Sequence, residues 1–514
     1  MSKKKEKEKR SFLDKFLGFI ERAGNKIPHP VVLFIGLCAL IILVSGLGAK
    51  LGWSATYYDA RAGEDVVAQV QSLFNAEGLR YIFNSATTNF TGFAPLGTVL
   101  VAIIGVGVAE YSGLINTSLK KTLLNVSPKW LTAVVVFTGI MSNVADASGY
   151  VVVIPLGAMM FAAAGRHPIA GLAAAFAGVS GGFSANLLIT PNDAVLAGIT
   201  NEALKSVGST YEIAATANWY FLIASTFLLV ILGTFVTEKI IEPRLGKYTG
   251  EYIADKEPIT QLENKGLRNA GIALLIFIAV MAFLMFGENA IFKSLDSDGN
   301  MTLTNFLNNG LLLMILLLFT IPGYVYGKTV GTIKNAHDLV EGMASGTRSM
   351  ATYLVLVFFA AQFVSYFGHT NLGIIVSVKG AEFLKSINYV GLPLVVTFIV
   401  TASILNLFMG SASAKWGIMA PIFVPMMMEL GLSPELTQIA YRIGDSTTNI
   451  ITPLMSYFAM IVAFTQRYDE ESGLGTLISN MLPYSVIFLL GWIVLLIIWY
   501  SIGLPLGPGA PILM

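Results

Sequence analysis

The stretch Ile404–Pro453, ILNLFMGSASAKWGIMAPIFVPMMMELGLSPELTQIAYRIGDSTTNIITP, decides how the rest of the chain is read. Most of it is apolar enough to lie in lipid. Its middle nevertheless carries Gly410, Ser411, Ser413, Lys415 and Trp416, and its end carries Arg442, Asp445, Ser446, Thr447, Thr448 and Asn449. Such groups are costly in hydrocarbon, and ionisable residues inside a membrane segment are functional candidates by default.

The composition supports a membrane reading. Of 514 residues, 55% are hydrophobic and 12% charged, and the mean hydropathy is +0.70, which places the chain outside the soluble globular class. A net charge of +1 gives no footprint for a nucleic-acid partner. The lone Cys38 lies in an apolar run, so no disulfide framework or thiol metal site is available. His29, His167, His337 and His369 are too scattered for a metal site. The start, MSKKKEKEKRSFLDKF, precedes an apolar run that is too long for a removed signal peptide and lacks a small-residue cleavage site, so residues 1–27 read as a retained cytoplasmic tail.

A helix crosses a bilayer with about 20 apolar residues. That rule predicts spans near 30–50, 93–115, 218–238, 268–288, 308–327, 350–368 and 479–504. Residues 130–164 behave differently, because SNVADASG (Ser142–Gly149) interrupts an apolar run and leaves two halves too short to cross. A polar break of this kind predicts a re-entrant hairpin, tolerated where its tip is buried in protein or lines a wet cavity. Residues 392–430 repeat the pattern with GSASAKW at the tip. Each hairpin is followed by a span broken at its middle, 168–200 by GGFSANLLITPND and 434–465 by GDSTTNIITP, where proline and clustered small polar residues unwind a helix.

The expected fold is therefore an all-α polytopic membrane protein with nine transmembrane helices and two re-entrant hairpins. A constant offset in numbering pairs Tyr150 with Trp416, Pro155 with Pro421, Gly165 with Gly431, Pro168 with Pro434 and Gly178 with Gly444; after a short slip, Ile189-Thr190-Pro191 pairs with Ile451-Thr452-Pro453. This predicts an internal repeat, with residues 28–240 as the first unit, 241–306 as a cytoplasmic linker plus connecting span 268–288, and 307–514 as the second unit. Counting crossings makes the repeats inverted, and the basic residues of 239–268 fit an N-terminus on the cytoplasmic side.

Inverted repeats with discontinuous helices are the pattern of secondary transporters, whose site lies where the broken helices meet. A broken helix presents free N–H groups to anions at one end and free carbonyls to cations at the other. Asn186 and Asn449, beside the two breaks, add neutral oxygens suited to a hard cation. No GxxxxGK[ST] occurs, so ATP is not the expected energy source. Asp445 after Gly444 has a superficial likeness to an intramembrane aspartyl protease, and Ser413 with Lys415 to a Ser-Lys nucleophile. Arg442 at the first glycine position argues against the former, and a separation of two residues against the latter. A channel is the other rival, disfavoured by closed paired hairpins.

The strings FTGFAPLGTVL, AGVSGGFSANL, GSASAKW, APIFVPM, YRIGDSTTNIITPLMSYF and GLPLGPGAP resemble the aminobenzoyl-glutamate transporter family, AbgT, from Pro28 to the C-terminus. The resemblance implies nine spanning helices, two hairpins, a homodimer in the bacterial inner membrane, and a mobile core against a scaffold. It further implies transport of p-aminobenzoyl-glutamate or another small organic anion, or ion-coupled export of antimetabolites such as sulfonamides. No cofactor is implied beyond Na+ or H+ as coupling ion. Carried onto this chain, the family's site falls on Asp193, Asn406, Ser413, Trp416, Pro434, Arg442, Asp445 and Pro453.

The residues can also be read chemically. Arg442 and Asp445 stand three apart on a helix and are expected to pair, Arg442 meeting a substrate carboxylate or sulfonyl oxygen and Asp445 binding the cation or proton. A structural ion pair is the competing reading. Asp193 reads equally as a coupling carboxylate or a helix cap after Pro191-Asn192, and Trp416 as a stacking surface for a substrate ring or as packing. Glu110, near the cytoplasmic end of its span, reads as a snorkelling side chain. Asp146 departs from the expected spacing at the first hairpin tip.

Overall fold

The structure, a computed structural model, describes residues 30–59, 64–124, 126–145, 149–248, 259–287, 290–295, 301–303, 305–306, 310–348, 350–455 and 457–514. The tail 1–27, His29, Asp146 and linker residues 249–258 lie outside the described residues.

Helix α1 (Pro30–Lys50) is followed by an antiparallel strand pair, β1 (Ser54–Asp59) with β2 (Glu64–Gln69). Helix α2 (Ala76–Thr91) begins where the Asn75 side chain accepts from the Gly78 N–H at 2.7 Å. The expected single span at 93–115 is two helices, α3 (Ala94–Tyr111) and α4 (Leu114–Leu124), bent by 66°. The bend has a local cause, because Gly113 takes φ 88, which L side chains resist.

The stretch expected to form the first hairpin contains two short apolar helices, α5 (Leu131–Met141) and α6 (Ile154–Ala163). Helix α7 (Pro168–Phe176) follows, with wider helical turns through Gly181, and the chain is unwound until α8 (Pro191–Ser206). Next come α9 (Trp219–Leu245), α10 (Gln261–Met285), a second strand pair β3 (Ser294–Leu295) with β4 (Met301–Thr302), α11 (Leu311–Val330), α12 (Ala336–Arg348), α13 (Ala351–His369) and α14 (Leu372–Ser386). The stretch expected to form the second hairpin contains α15 (Leu392–Asn406) and α16 (Ala412–Glu429), followed by α17 (Pro434–Asn449), a break, α18 (Phe458–Gln466) and α19 (Leu474–Ile502).

The two strand pairs correct the all-α expectation, and α2, α12 and α14 are helices that the apolar-run rule passed over. Helices α2 and α12 are amphipathic, so their polar faces dilute the run. Among the described residues, five helices are long and apolar enough to cross a membrane, or up to seven if each of two bent pairs is one span. The outward face is what lipid requires: on α10, Leu275 is 67% and Phe283 79% exposed. The chain is a multi-pass membrane protein.

The interior contradicts the usual sorting by polarity. Every residue of α7 is buried and nearly all are apolar, whereas every residue of α17 is buried and most are polar or charged. Phe176 meets Phe458 at 6.1 Å, Tyr484 meets Phe488 at 6.1 Å, and Trp492 donates to Ser225 Oγ at 2.6 Å, which fastens α19 to α9 across this core. Close packing depends on two glycines. A Cβ on Gly178 would strike the Val136 carbonyl of α5, and one on Gly444 the Ile399 carbonyl of α15. Each broken helix thus presses backbone to backbone against an arm of its own hairpin.

Candidate functional site

Helix α17 carries the charge. Its N-terminus is held by Ser433, whose Oγ accepts from the Leu436 N–H at 3.1 Å, with Pro434 in the first turn. A polar helix can be buried only if its side chains find partners, and here they come from the second hairpin and from the first broken span. Ser446 Oγ accepts from the Ser184 N–H at 3.1 Å, and Ser180 Oγ donates to Met455 Sδ at 3.1 Å, so the two breaks touch.

The expected Arg442–Asp445 pair is not formed. Arg442 Nη2 donates instead to Asp193 Oδ1 at 2.5 Å, and Asp445 Oδ1 accepts from Lys415 Nζ at 2.6 Å. Residues three apart on a helix are offset by about 60° around its axis, enough for Arg442 to face α8 while Asp445 faces the second hairpin. Both pairs are almost fully buried: Arg442 and Lys415 are 2% exposed, Asp193 and Asp445 1%. Breaking either would leave an uncompensated buried charge, at a cost of about 3–5 kcal/mol.

Asp193 caps a helix and also holds a charge. Its Oδ2 accepts from the Thr190 N–H at 2.5 Å and Thr190 Oγ1 at 2.8 Å, which caps α8, while its other oxygen holds Arg442. Arg442 keeps an unused donor, since its Nε is buried without a partner.

Around Lys415, the amide of Asn406 organises three elements. Its Nδ2 donates to the Asp445 carbonyl at 2.6 Å, to Thr448 Oγ1 at 2.9 Å and to Asn449 Oδ1 at 2.9 Å, and its Oδ1 accepts from Lys415. Lys415 Nζ also donates to the Met409 carbonyl at 3.2 Å. Tyr441 donates to the Ala412 carbonyl at 2.6 Å and stacks on Trp416 with centroids 4.6 Å apart. Trp416 Nε1 donates to Thr200 Oγ1 at 3.0 Å, and the ring is fully buried. Of the two readings of Trp416, packing is the one seen here, with Tyr441 covering a face of the ring.

Beside these pairs lies a cavity of about 200 Å³. Ala412 and Ser413 from the second hairpin, Asn143 from the first, Phe183 and Asn192 from the first broken span, and Tyr353 from α13 all line it. Asn143 Oδ1 and Asn192 Nδ2, on two of the lining residues, are buried without partners. Sequence reasoning missed both, although they lie in the SNVADASG and ITPND strings that it singled out. It also left Lys415 out of the site; a lysine at a hairpin tip, with a carboxylate predicted nearby, was the available signal.

Other expected residues lie farther off. Pro434 is buried at the opposite end of α17 from Asp445, roughly 16 Å along the axis by the helical rise. Pro453 sits in the second break beside Leu454, whose carbonyl a Cβ on Gly410 would strike at 2.7 Å. Asn186 serves the first hairpin: its Nδ2 donates to the Ile140 carbonyl at 3.1 Å and its Oδ1 accepts from the Leu188 N–H at 3.0 Å. Glu110 is exposed.

Two buried ion pairs on interrupted helices, inside a shell of exposed apolar helices, fit a membrane transporter. The chain matches the AbgT transporter family over residues 15–514 and belongs to it. It is 38% identical over 495 residues to the p-aminobenzoyl-glutamate transport protein of Escherichia coli strain K12, covering 96% of each chain. Its fold is similar to the crystal structure of the Alcanivorax borkumensis YdaH transporter, with 44% identity and a TM-score of 0.87 over 94% of this chain and 100% of that one. It is also similar to Neisseria gonorrhoeae MtrF, described as illuminating a class of antimetabolite efflux pumps, with 46% identity and a TM-score of 0.89 over 96% and 100%.

Proposed function

We propose that this transporter is secondary active and cation-coupled, moving p-aminobenzoyl-glutamate-like folate catabolites or exporting sulfonamide-type antimetabolites with H+ or Na+ as coupling ion. The observation that carries the reading is Arg442: a guanidinium 2% exposed, bound to one carboxylate, with a donor unused. Such a group is a receptor for a substrate carboxylate or sulfonyl oxygen. An incoming anion that takes Arg442 from Asp193 frees that carboxylate for a cation, which links substrate binding to ion binding in a charge-balanced exchange.

In this scheme Ser413, Trp416, Pro434 and Pro453 shape the substrate path with Arg442. Asn406, Asp445, Asp193, Asn186 and Asn449 supply the oxygens for coupling. The free amide groups of Asn143 and Asn192 extend the path into the cavity. The chain crosses nine times and dips twice, as inverted repeats, in a homodimer of the bacterial inner membrane with its N-terminus cytoplasmic. Helices α1, α3, α10, α11 and α19 form the scaffold. The test is accumulation of p-aminobenzoyl-glutamate, or extrusion of a sulfonamide, in proteoliposomes under imposed proton or sodium gradients. Gradient-driven, saturable flux is expected; flux that is linear in concentration and indifferent to both gradients would indicate a channel and overturn the reading.

A further inference from the structure

Lys415 lies among groups assigned to ion coupling, yet it is itself a cation. Its Nζ sits between Asp445 Oδ1 at 2.6 Å, Asn406 Oδ1 and the Met409 carbonyl at 3.2 Å. One carboxylate, one amide oxygen and one backbone carbonyl converging on a point form the donor set of a hard monovalent cation. The oxygens come from both sides of a joint, since Asn406 and Met409 belong to the second hairpin and Asp445 to the broken helix behind it.

We propose that the Lys415 ammonium is a tethered, resident cation in this oxygen site, so that a free sodium ion has no place there while the lysine is present. The inference rests on the transporter reading and narrows it, assigning to a side chain what sodium would otherwise do. Three further observations fit. Lys415 is 2% exposed and has no charged partner but Asp445 among its bonds, so its charge balances that carboxylate one to one. The Tyr441 ring lies 5.8 Å from Nζ, and its hydroxyl donates to Asp445 Oδ1 at 3.4 Å, so the ring borders the same site. The corresponding position in the first repeat is Gly149, where a Cβ would run into Ser142 Oγ, and the positions matching Asp445 and Asn406 are Val179 and Ile140. The ammonium and its two side-chain oxygen donors therefore occur together in one half and are absent together from the matching positions of the other.

The test uses the full chain in detergent and in proteoliposomes. Thermal unfolding is measured in sodium chloride against choline chloride of equal ionic strength for the parent, Lys415→Met and Lys415→Met/Asp445→Asn. The parent is expected to respond equally to the two salts. Lys415→Met, with the oxygens vacated, should gain a saturable upward shift of several degrees in sodium alone, and the double variant should lose it. A sodium-specific shift in the parent, or none in a folded Lys415→Met, would overturn the proposal. Should Lys415→Met fail to fold, the parent decides: substrate flux unchanged when choline replaces sodium supports the resident cation, and flux lost on that replacement refutes it. A parent that moves no substrate under any gradient would instead defeat the transporter reading, leaving the unfolding result to stand on its own.

Discussion

Helix α7 enters the interior behind His167 and Pro168, and helix α17 behind Ser433 and Pro434; one constant offset in numbering relates the two. Both are wholly buried, and both press a glycine, Gly178 or Gly444, against the backbone of their own hairpin. There the likeness stops. Where α17 has Arg442 and Asp445, the first repeat has Phe176 and Val179. The backbone plan was kept because it is fixed by close glycine contacts and paired breaks. Among the described residues, the buried charges gather on α17 and the second hairpin, and the first half answers with Asp193, placed beyond its break at the start of α8. Two similarly placed buried helices thus serve different ends, packing in α7 and charge in α17.

The sharpest way to break this comparison is to remove a charge from α17. Asp445→Ala leaves the Lys415 ammonium buried without its carboxylate, so stability should fall by about 3–5 kcal/mol and gradient-driven transport should be lost. Chemical unfolding and proteoliposome flux check the two halves. A smaller and symmetric effect is expected from the shared frame. Gly178→Ala and Gly444→Ala should each cost about 1–3 kcal/mol by overpacking, in similar measure, as read by thermal unfolding; an effect at only one of them would show that the helices are not packed alike.

How much of this could be read in advance follows the same division. The helix interruptions were legible because they depend on local signals: apolar runs of fixed length, prolines, and polar strings such as SNVADASG and GSASAKW. The partners of the charges were not. Arg442 and Asp445 were expected to meet because sequence spacing is the only distance a sequence supplies. Their actual partners, Asp193 and Lys415, are brought in by tertiary contacts between the two broken spans and the second hairpin. Trp416 was open to two readings for the same reason, since nothing local announces that Tyr441 will cover it. The bend at Gly113 was hidden inside a run whose hydropathy is continuous.

Two weaker effects refine the comparison. Thr200 of α8 accepts from Trp416 Nε1 and Gln438 Nε2, both at 3.0 Å, and so ties the first repeat to the second. Thr200→Val should cost about 1–3 kcal/mol by stranding both donors, and transport should slow more than substrate binding weakens, as kcat and KM of flux would show. The smallest effect concerns the caps. His167 Nδ1 accepts from the Ile169 N–H at 3.3 Å, a role open only to the neutral ring, whereas Ser433 caps α17 at any pH. Burial holds the His167 pKa below its ordinary value, against the opposing pull of Glu242 and Asp469. The unfolded chain therefore takes up the proton first, and the stabilisation is complete above the ordinary histidine range and declines as pH falls through it. His167→Ser, which copies the cap of α17, should remove that acid-side loss in unfolding curves recorded across the range.

The central claim is that the charged copy of the frame carries the transported anion while the apolar copy supports it. Its most direct test is p-aminobenzoyl-glutamate accumulation in proteoliposomes, under whichever cation gradient drives the parent, for folded Arg442→Gln and its repeat counterpart Phe176→Leu. Accumulation is expected to be abolished by Arg442→Gln and largely retained by Phe176→Leu. Undiminished accumulation by Arg442→Gln would contradict the account.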